Sequence, residues 1–328
     1  MKTAVITGAS AGIGLATADR FAREGWQVAI LARDPERLEA ARSQIARHGG
    51  EVLAVPTDVS DAEAVDDAAD KIFAQFGAID VWVNNAMSTV VGDALQITPQ
   101  EYERVTASTY LSTVYGTRAA LRHMRGQGRG AVVQISSMLA IQPAPLQAAY
   151  CGAKSAVGGF TRSVRGELTA EKSPITLSLV YLPGVDTPQS GWSRNHTGRA
   201  QIIPDPLFHP DLCAKAVFSA VANRHPEVWV GRSTILMALV HAIAPWLTAR
   251  LSADPEQQLG GPEPRRLGNL EQPAPGPARV QGDGADRVVK TGREFMSTRQ
   301  RRLIETASVV GLTGLSAFLG YALARRRN

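Results

Sequence analysis

The sequence predicts an α/β fold, a doubly wound parallel sheet with helices on both faces, and three observations lead to it. Short apolar runs alternate with longer stretches of helical period from the N-terminus onward. The first run ends in a glycine-rich turn that opens a helix. Polar residues gather after the runs, where a sheet of this kind collects its ligand at the carboxyl ends of the strands.

Ala4-Val5-Ile6 reads as a buried strand, and Thr7-Gly8-Ala9-Ser10-Ala11-Gly12-Ile13-Gly14 opens a helix running toward Glu24. Glycines at that turn let the backbone approach a pyrophosphate, which would sit on the N–H groups and positive dipole end of the helix. The spacing is Gly-x-x-x-Gly-x-Gly, and alone such a turn also ends strands for conformational reasons. Gln27 to Ala32 is the next strand, after which Asp34 caps a helix that has Pro35 at its first position. A carboxylate for the ribose hydroxyls of NAD would be expected where Ala32 stands, whereas Arg33 suits a 2′-phosphate. Glu51 to Val55 leads to Asp58-Val59 and a helix from about Asp61 to Phe76. The strand Ile79 to Val83 then ends in Asn84-Asn85-Ala86.

The chemistry falls to Tyr150-Cys151-Gly152-Ala153-Lys154 and to Ser137, which follows the apolar run Ala131 to Ile135. A helix beginning near Ala148 puts the Tyr150 phenol and the Lys154 ammonium on one face, one turn apart. An unperturbed tyrosine titrates near ~10 and needs a nearby cation to work as an acid and base near neutrality. Lys154 supplies that cation, and Ser137 can donate to the same substrate oxygen. Cys151 and Cys213 form neither a disulfide framework nor a metal cluster of recognisable spacing, so no metal is expected and a reducing compartment is the default. His196, His209 and His225 lack ligand spacing and are expected at the surface.

Thr7-Gly8-x3-Gly12-x-Gly14, Asp58-Val59, Asn84-Asn85-Ala86, Ser137, Tyr150-x3-Lys154 and Pro183-Gly184 stand in the order and spacing of the short-chain dehydrogenase/reductase family, which the chain resembles over residues 1 to 231. The resemblance implies a seven-stranded Rossmann fold and hydride transfer between a nicotinamide nucleotide and a carbonyl or alcohol. It casts Tyr150 as acid/base, Lys154 as the group that holds the nicotinamide ribose and lowers the phenol pKa, and Ser137 as the positioner of the substrate oxygen. Gly8, Ser10, Gly12, Ile13 and Gly14 would line the phosphates, Asp58 and Val59 the adenine, and Asn85 the adjoining ribose. Gly184 and Thr187 would frame the nicotinamide. Two residues depart from the pattern: Met87 replaces the glycine after Asn-Asn-Ala, and Thr109 stands where the family carries an active-site asparagine that holds a relay water. A threonine hydroxyl could bond that water with fewer groups than an amide offers.

Met138, Leu139, Ile141, Pro143, Pro145, Leu146, Trp192 and Phe208 favour a lipophilic substrate if they line a pocket, and would otherwise pack on one another as loop core. Ile235 to Leu251, broken by Pro245, could cover that pocket, form a dimer contact or lie on a membrane. The expected organisation is a catalytic domain over residues 1–250, a flexible Pro/Gly-rich linker over 251–297 and an apolar helix over 298–328. Ala307 to Ala324 is nearly free of charge and flanked by arginines, including Arg325-Arg326-Arg327, which suggests a membrane anchor more than a docked amphipathic helix. No secretory signal opens the chain. The net charge of +5 is partly gathered on these flanks, which points to a membrane surface and away from nucleic acid. The sequence thus reads as an NADP-dependent oxidoreductase, with NAD less favoured, acting on a small lipophilic carbonyl or alcohol. Its expected setting is a homo-oligomer with a cytoplasmic catalytic domain held to a membrane by its tail. The alternative is a nucleotide-binding scaffold of the same fold that has lost turnover, an option opened by Thr109 and Met87.

Overall fold

In the computed structural model, which describes residues 1–289 and 294–300, the alternating runs become strands and helices in the expected order. The first half supplies β1 (Thr3–Thr7), α1 (Gly12–Arg23), β2 (Gln27–Ala32), α2 (Pro35–Ile45), β3 (Val52–Pro56), α3 (Ala62–Phe76) and β4 (Val81–Asn84). A short strand β5 (Val90–Val91) precedes α4 (Pro99–Thr106), a π-helical turn over Ala107–Leu111 and α5 (Ser112–Gln127). Then come β6 (Ala131–Ser137), α6 (Ala148–Ala170), β7 (Thr176–Leu182), a single turn α7 (Gln189–Trp192), β8 (Arg194–Asn195) and β9 (Arg199–Gln201). α8 (Pro210–Ala222), β10 (Glu227–Val230), α9 (Arg232–Ile243), α10 (Pro245–Leu251), β11 (Leu259–Pro262) and β12 (Phe295–Ser297) complete the order.

The main sheet runs β12-β10-β7-β6-β4-β1-β2-β3, with Val5 of β1 between Ala29 and Trp82 of its parallel neighbours. Strands buried on both faces need no alternation, which is why β1 and β6 are buried at every position. One face packs on α1, α2 and α8 through Leu15, Phe21, Leu38, Cys213 and Val217, and the other on α3 and α5 through Val65, Ile72, Ala119 and Met124. Helix starts follow local chemistry: Asp34 accepts from the Arg37 N–H at 3.0 Å with Pro35 behind it, and Asp61 caps α3.

Two features differ from the sequence expectation. The sheet has an eighth strand, because β12 pairs antiparallel with β10, Met296 opposite Trp229. Met296 is buried with Trp229 and Tyr181, so it covers an edge that would otherwise offer an unpaired ladder. Secondly, residues 252–289 lie against the body: β11 pairs with β9, Leu270 is 0% exposed, and the backbone of this stretch bonds repeatedly to the core. Proline and glycine here shape an irregular packed path whose hydrogen bonds are tertiary, so it carries no apolar period. The expected apolar helix lies outside the described residues beyond Gln300. Among the described residues no helix is long and apolar enough to cross a membrane. His196 also departs from its expected surface position, since its Nε2 meets buried Glu101 at 2.9 Å beside Arg194.

Candidate active site

The carboxyl ends of β1, β4, β6 and β7 open into one cavity of about 540 Å3. Gly8, Ser10, Gly12, Ile13, Arg33, Asp58, Val59, Asn85, Ser137, Tyr150, Lys154, Gly184 and Thr187 all line it, although they come from separate segments of the chain. Met138, Leu139, Ile202, Ile203, Met237 and Leu251 also line it, together with the polar Gln142, Ser233, Asp254 and Gln258. Ser233 and Met237 of α9 and Leu251 after Pro245 reach the cavity, so the interrupted segment covers the pocket.

At the glycine-rich end the turn packs closely on the segment after β4. Gly8 has φ +66, and a Cβ there would stand 2.9 Å from Ala86 Cα. A Cβ on Gly14 would stand 2.2 Å from the Gly8 carbonyl oxygen, so this glycine lies behind the turn and packs it, and does not line the cavity. No side chain caps α1, whose first residues Gly12 and Ile13 face the cavity. The Gly12 N–H donates to the Arg279 carbonyl at 2.9 Å, and the helix dipole at this end suits an anion such as a dinucleotide pyrophosphate. Asn85 ties β4 to this turn, donating from Nδ2 to the Thr7 carbonyl at 2.9 Å. Its neighbour Asn84 turns into the core, bonded to Trp82, Thr117 and Gln134.

Three arginines surround the end of the cavity beyond Ala32. Arg33 donates to the carbonyls of Asn269 at 2.6 Å, Glu271 at 2.9 Å and Leu270 at 3.2 Å. Burial lowers its pKa against the opposing pull of Asp58. Arg37 and Arg104 were not singled out from the sequence, where each is one arginine on a helix. The first lies with its guanidinium 4.7 Å from the Trp192 ring centroid, and the second reaches Asp58 at 2.8 Å. Burial works to raise the Asp58 pKa, but bonds from Arg104 and Ser60 outweigh it and hold the carboxyl below its usual value.

Elsewhere on the cavity wall, α6 presents Tyr150 and Lys154 one turn apart as the spacing requires. Lys154 is 2% exposed and donates from Nζ to the Ile135 carbonyl of β6 at 2.7 Å, with Nζ 5.8 Å from the Tyr150 ring centroid. Burial pulls its pKa down to about 7. The Tyr150 phenol is pushed up to about 12 by burial, opposed by the nearby Ser137 hydroxyl. Ser137 Oγ also accepts from the Leu139 N–H at 3.1 Å, which fixes the serine at the strand end. A carbonyl oxygen placed here would meet two hydroxyl donors with a lysine behind one of them.

Thr109 is not brought to this group. It is 0% exposed, and its Oγ1 donates to the Ser88 carbonyl at 3.0 Å and accepts from the Ser88 N–H at 3.2 Å. The π-helical turn instead brings its neighbour Ser108 to the cavity wall, bonded to the Ser88 hydroxyl. Met87 does line the cavity. Of the apolar residues read as pocket candidates, Met138, Leu139 and Trp192 line it, whereas Phe208 is 0% exposed in the core.

A family model described as short chain dehydrogenase matches residues 2–197. The chain belongs to this family. It is 32% identical over 249 residues to the Uncharacterized oxidoreductase YxnA of Bacillus subtilis (strain 168), covering 75% of this chain and 70% of that protein. Over 248 residues it is 29% identical to a fatty acyl-CoA reductase of Acinetobacter baylyi, covering 74% and 80% of the two chains. Among solved structures it resembles a metagenomic short-chain oxidoreductase in complex with NADP, with TM-score 0.57 and 29% identity over 67% of this chain and 90% of that one. An oxidoreductase of the short-chain dehydrogenase family is therefore the class to which this site belongs.

Proposed function

We propose that this oxidoreductase uses NADP to interconvert a carbonyl and an alcohol on a lipophilic substrate, with Tyr150 as the acid/base. The observation that carries this is the buried Lys154, anchored on Ile135 and gathered with Tyr150 and Ser137 on the wall of the cavity that holds the glycine-rich turn. In this reading Gly8, Ser10, Gly12 and Ile13 hold the pyrophosphate, Asp58 and Val59 flank the adenine, and Arg33 pairs with the 2′-phosphate. Arg37 and Arg104 add positive charge at that end, and NADP in the similar solved structure supports the choice of nucleotide. Asn85, Gly184 and Thr187 frame the ribose and nicotinamide. When bound, the nucleotide supplies or accepts the hydride. The chain's own residues then handle the proton. Ser137 and Tyr150 donate hydrogen bonds to the substrate oxygen, Tyr150 transfers its proton as charge develops there, and the cationic form of Lys154 stabilises the resulting phenolate. The mostly apolar wall of the cavity favours a substrate with an aliphatic or aromatic body, in keeping with the acyl-chain chemistry named for the Acinetobacter relative.

Tyr150→Phe tests this reading with a panel of apolar ketones and aldehydes. Turnover should fall at least a hundredfold while NADPH affinity stays within a few-fold; a variant retaining most of the rate refutes the assignment. Thr109 favours a second reading, a nucleotide-binding scaffold without turnover, because its hydroxyl is committed to Ser88. Nucleotide binding without reduction of any panel member would support that reading. Membrane attachment through residues 298–328, or through Leu236, Ile243 and Trp246 exposed on α9 and α10, fits a lipophilic substrate. Sedimentation of the full chain with lipid vesicles is the measurement that decides it.

A further inference from the structure

Between α10 and β12 the chain crosses the nucleotide end of the cavity, and it is held there by the groups proposed to bind NADP. The Gly12 N–H donates to the Arg279 carbonyl at 2.9 Å. Arg33 spreads over the carbonyls of residues 269–271 at 2.6 to 3.2 Å. Arg37, 7% exposed, donates to the Ala274 carbonyl at 2.7 Å, and Arg104 donates to that of Leu270 at 3.2 Å. Donors from four places in the fold thus converge on one stretch of backbone, whose carbonyls accept from the same N–H groups that a phosphate would engage.

Two clasps fix the stretch. Leu270 is 0% exposed in a socket with Val90, Ile97 and Val105, and Asp186 Oδ1 accepts from the Gly284 N–H at 3.0 Å. A Cβ on Gly282 would stand 2.6 Å from that same oxygen, so the segment passes tightly over residues 186 and 187. It roofs the cavity without filling it. Asn269, Pro273 and Ala274 line the same space as Gly8, Ile13 and Tyr150, and its volume of about 540 Å3 is that of an ordinary ligand cleft. The segment is tied into the fold at both ends, by α10 and by β12, so a nucleotide cannot leave past a free tail.

We propose that residues 263–284 are a strap that closes over bound NADP and sets the rate of nucleotide exchange. The proposal rests on the NADP reading of the cleft and adds an element outside residues 2–197, the part matched by the family model. Closing over bound NADP requires the carbonyls of residues 269–271 and 279 to give up the Arg33 and Gly12 donors to the phosphates, while the Leu270 socket and the Gly284–Asp186 bond keep the strap in place. Product release then waits on strap opening, a gate of the kind that limits turnover in many enzymes.

Release of NADPH from the full chain, followed by loss of its protein-bound fluorescence on dilution into excess NADP, tests this. Leu270→Asp places a charge in an apolar socket and should free that end of the strap, accelerating release at least tenfold. Asp186→Cys combined with Gly284→Cys gives the opposite perturbation, because a carbon added at Gly284 would lie 3.7 Å from Asp186 Cγ, within reach of a disulfide. Loaded with NADPH and then oxidised, this protein should release nucleotide at least tenfold more slowly than after reduction. The redox comparison is made on one polypeptide and decides the matter even if Leu270→Asp fails to fold. Equal release rates in the oxidised and reduced states would overturn the strap. Tighter NADPH binding by Leu270→Asp would overturn it too, marking the segment as a competitor. Failure of the unmutated chain to bind NADPH would refute the nucleotide reading itself and the strap with it, an outcome distinct from normal binding with unaltered release.

Discussion

Replacing Lys154 by methionine should make the nucleotide-free protein more stable at pH 6 to 7, and the gain should vanish as the pH approaches 10. Lys154 is 2% exposed, and burial lowers its pKa from 10.5 to about 7. At roughly 1.4 kcal/mol for each tenfold change in proton affinity, this is about 5 kcal/mol against the charged form. Below pH 7 both folded and unfolded chains carry the charge, so the whole penalty acts. Between pH 7 and 10.5 the unfolded chain binds the proton and the folded one releases it, so stability rises with pH. Methionine removes the charge and also the bond to Ile135, a loss of about 1 kcal/mol, leaving an expected net gain of about 2–4 kcal/mol at low pH. Tyr150, raised to about 12, works the other way above pH 10, where the unfolded phenol ionises first and stability falls. Urea unfolding of both proteins from pH 6 to 10 measures the two curves. Parallel curves would show that Lys154 is charged in the free protein across this range and would refute the burial argument.

Arg33→Ala should abolish a preference for NADPH over NADH, with an affinity loss for NADPH of about tenfold to a hundredfold and little change for NADH, measured by fluorescence titration; equal affinities in the unmutated protein would refute the 2′-phosphate reading. Thr109→Val should destabilise by about 1–3 kcal/mol, since it leaves the buried Ser88 N–H and carbonyl without their shared hydroxyl, as urea midpoints will show. Thr109→Asn enlarges a side chain with 0% exposure and should also destabilise without raising kcat. Gly14→Ala should weaken nucleotide binding strongly, because its methyl would lie 2.2 Å from the Gly8 carbonyl and the turn would have to shift; unchanged affinity would show that the turn yields.

The parts of this molecule legible in the sequence are those in which local pattern and tertiary role coincide. Buried parallel strands announce themselves as unbroken apolar runs, and Asp34-Pro35 marks a helix start by its own chemistry. Tyr150 and Lys154 could be placed together because helical spacing alone brings them to one face. Residues 252–289 escaped this logic. Their order comes from arginines on distant elements bonding to backbone carbonyls, and a carbonyl leaves no trace in the identity of its residue. Arg37 and Arg104 were missed for the same reason. Thr109 shows the converse failure: sequence position identified the right turn of helix, but whether its hydroxyl faced the cavity or Ser88 depended on a contact across the fold.

Burial acts on both members of the Tyr150–Lys154 pair, and it disfavours the charged form of each. A phenol raised to about 12 is a poor proton donor and is almost wholly un-ionised at neutral pH, and a lysine lowered to about 7 is only partly cationic there. Each effect is relieved by the other's charge, since a protonated Lys154 favours the Tyr150 phenolate and the phenolate favours the protonated lysine. An anionic nucleotide entering the cleft adds negative charge near Lys154 and raises its pKa, so binding should take up a proton at pH 8. Calorimetry of NADPH binding in two buffers of different ionisation enthalpy measures this uptake directly. About half a proton or more should be bound in the unmutated protein and none in Lys154→Met; equal uptake in the two would place the titrating group elsewhere and leave the lysine without a part in tuning Tyr150.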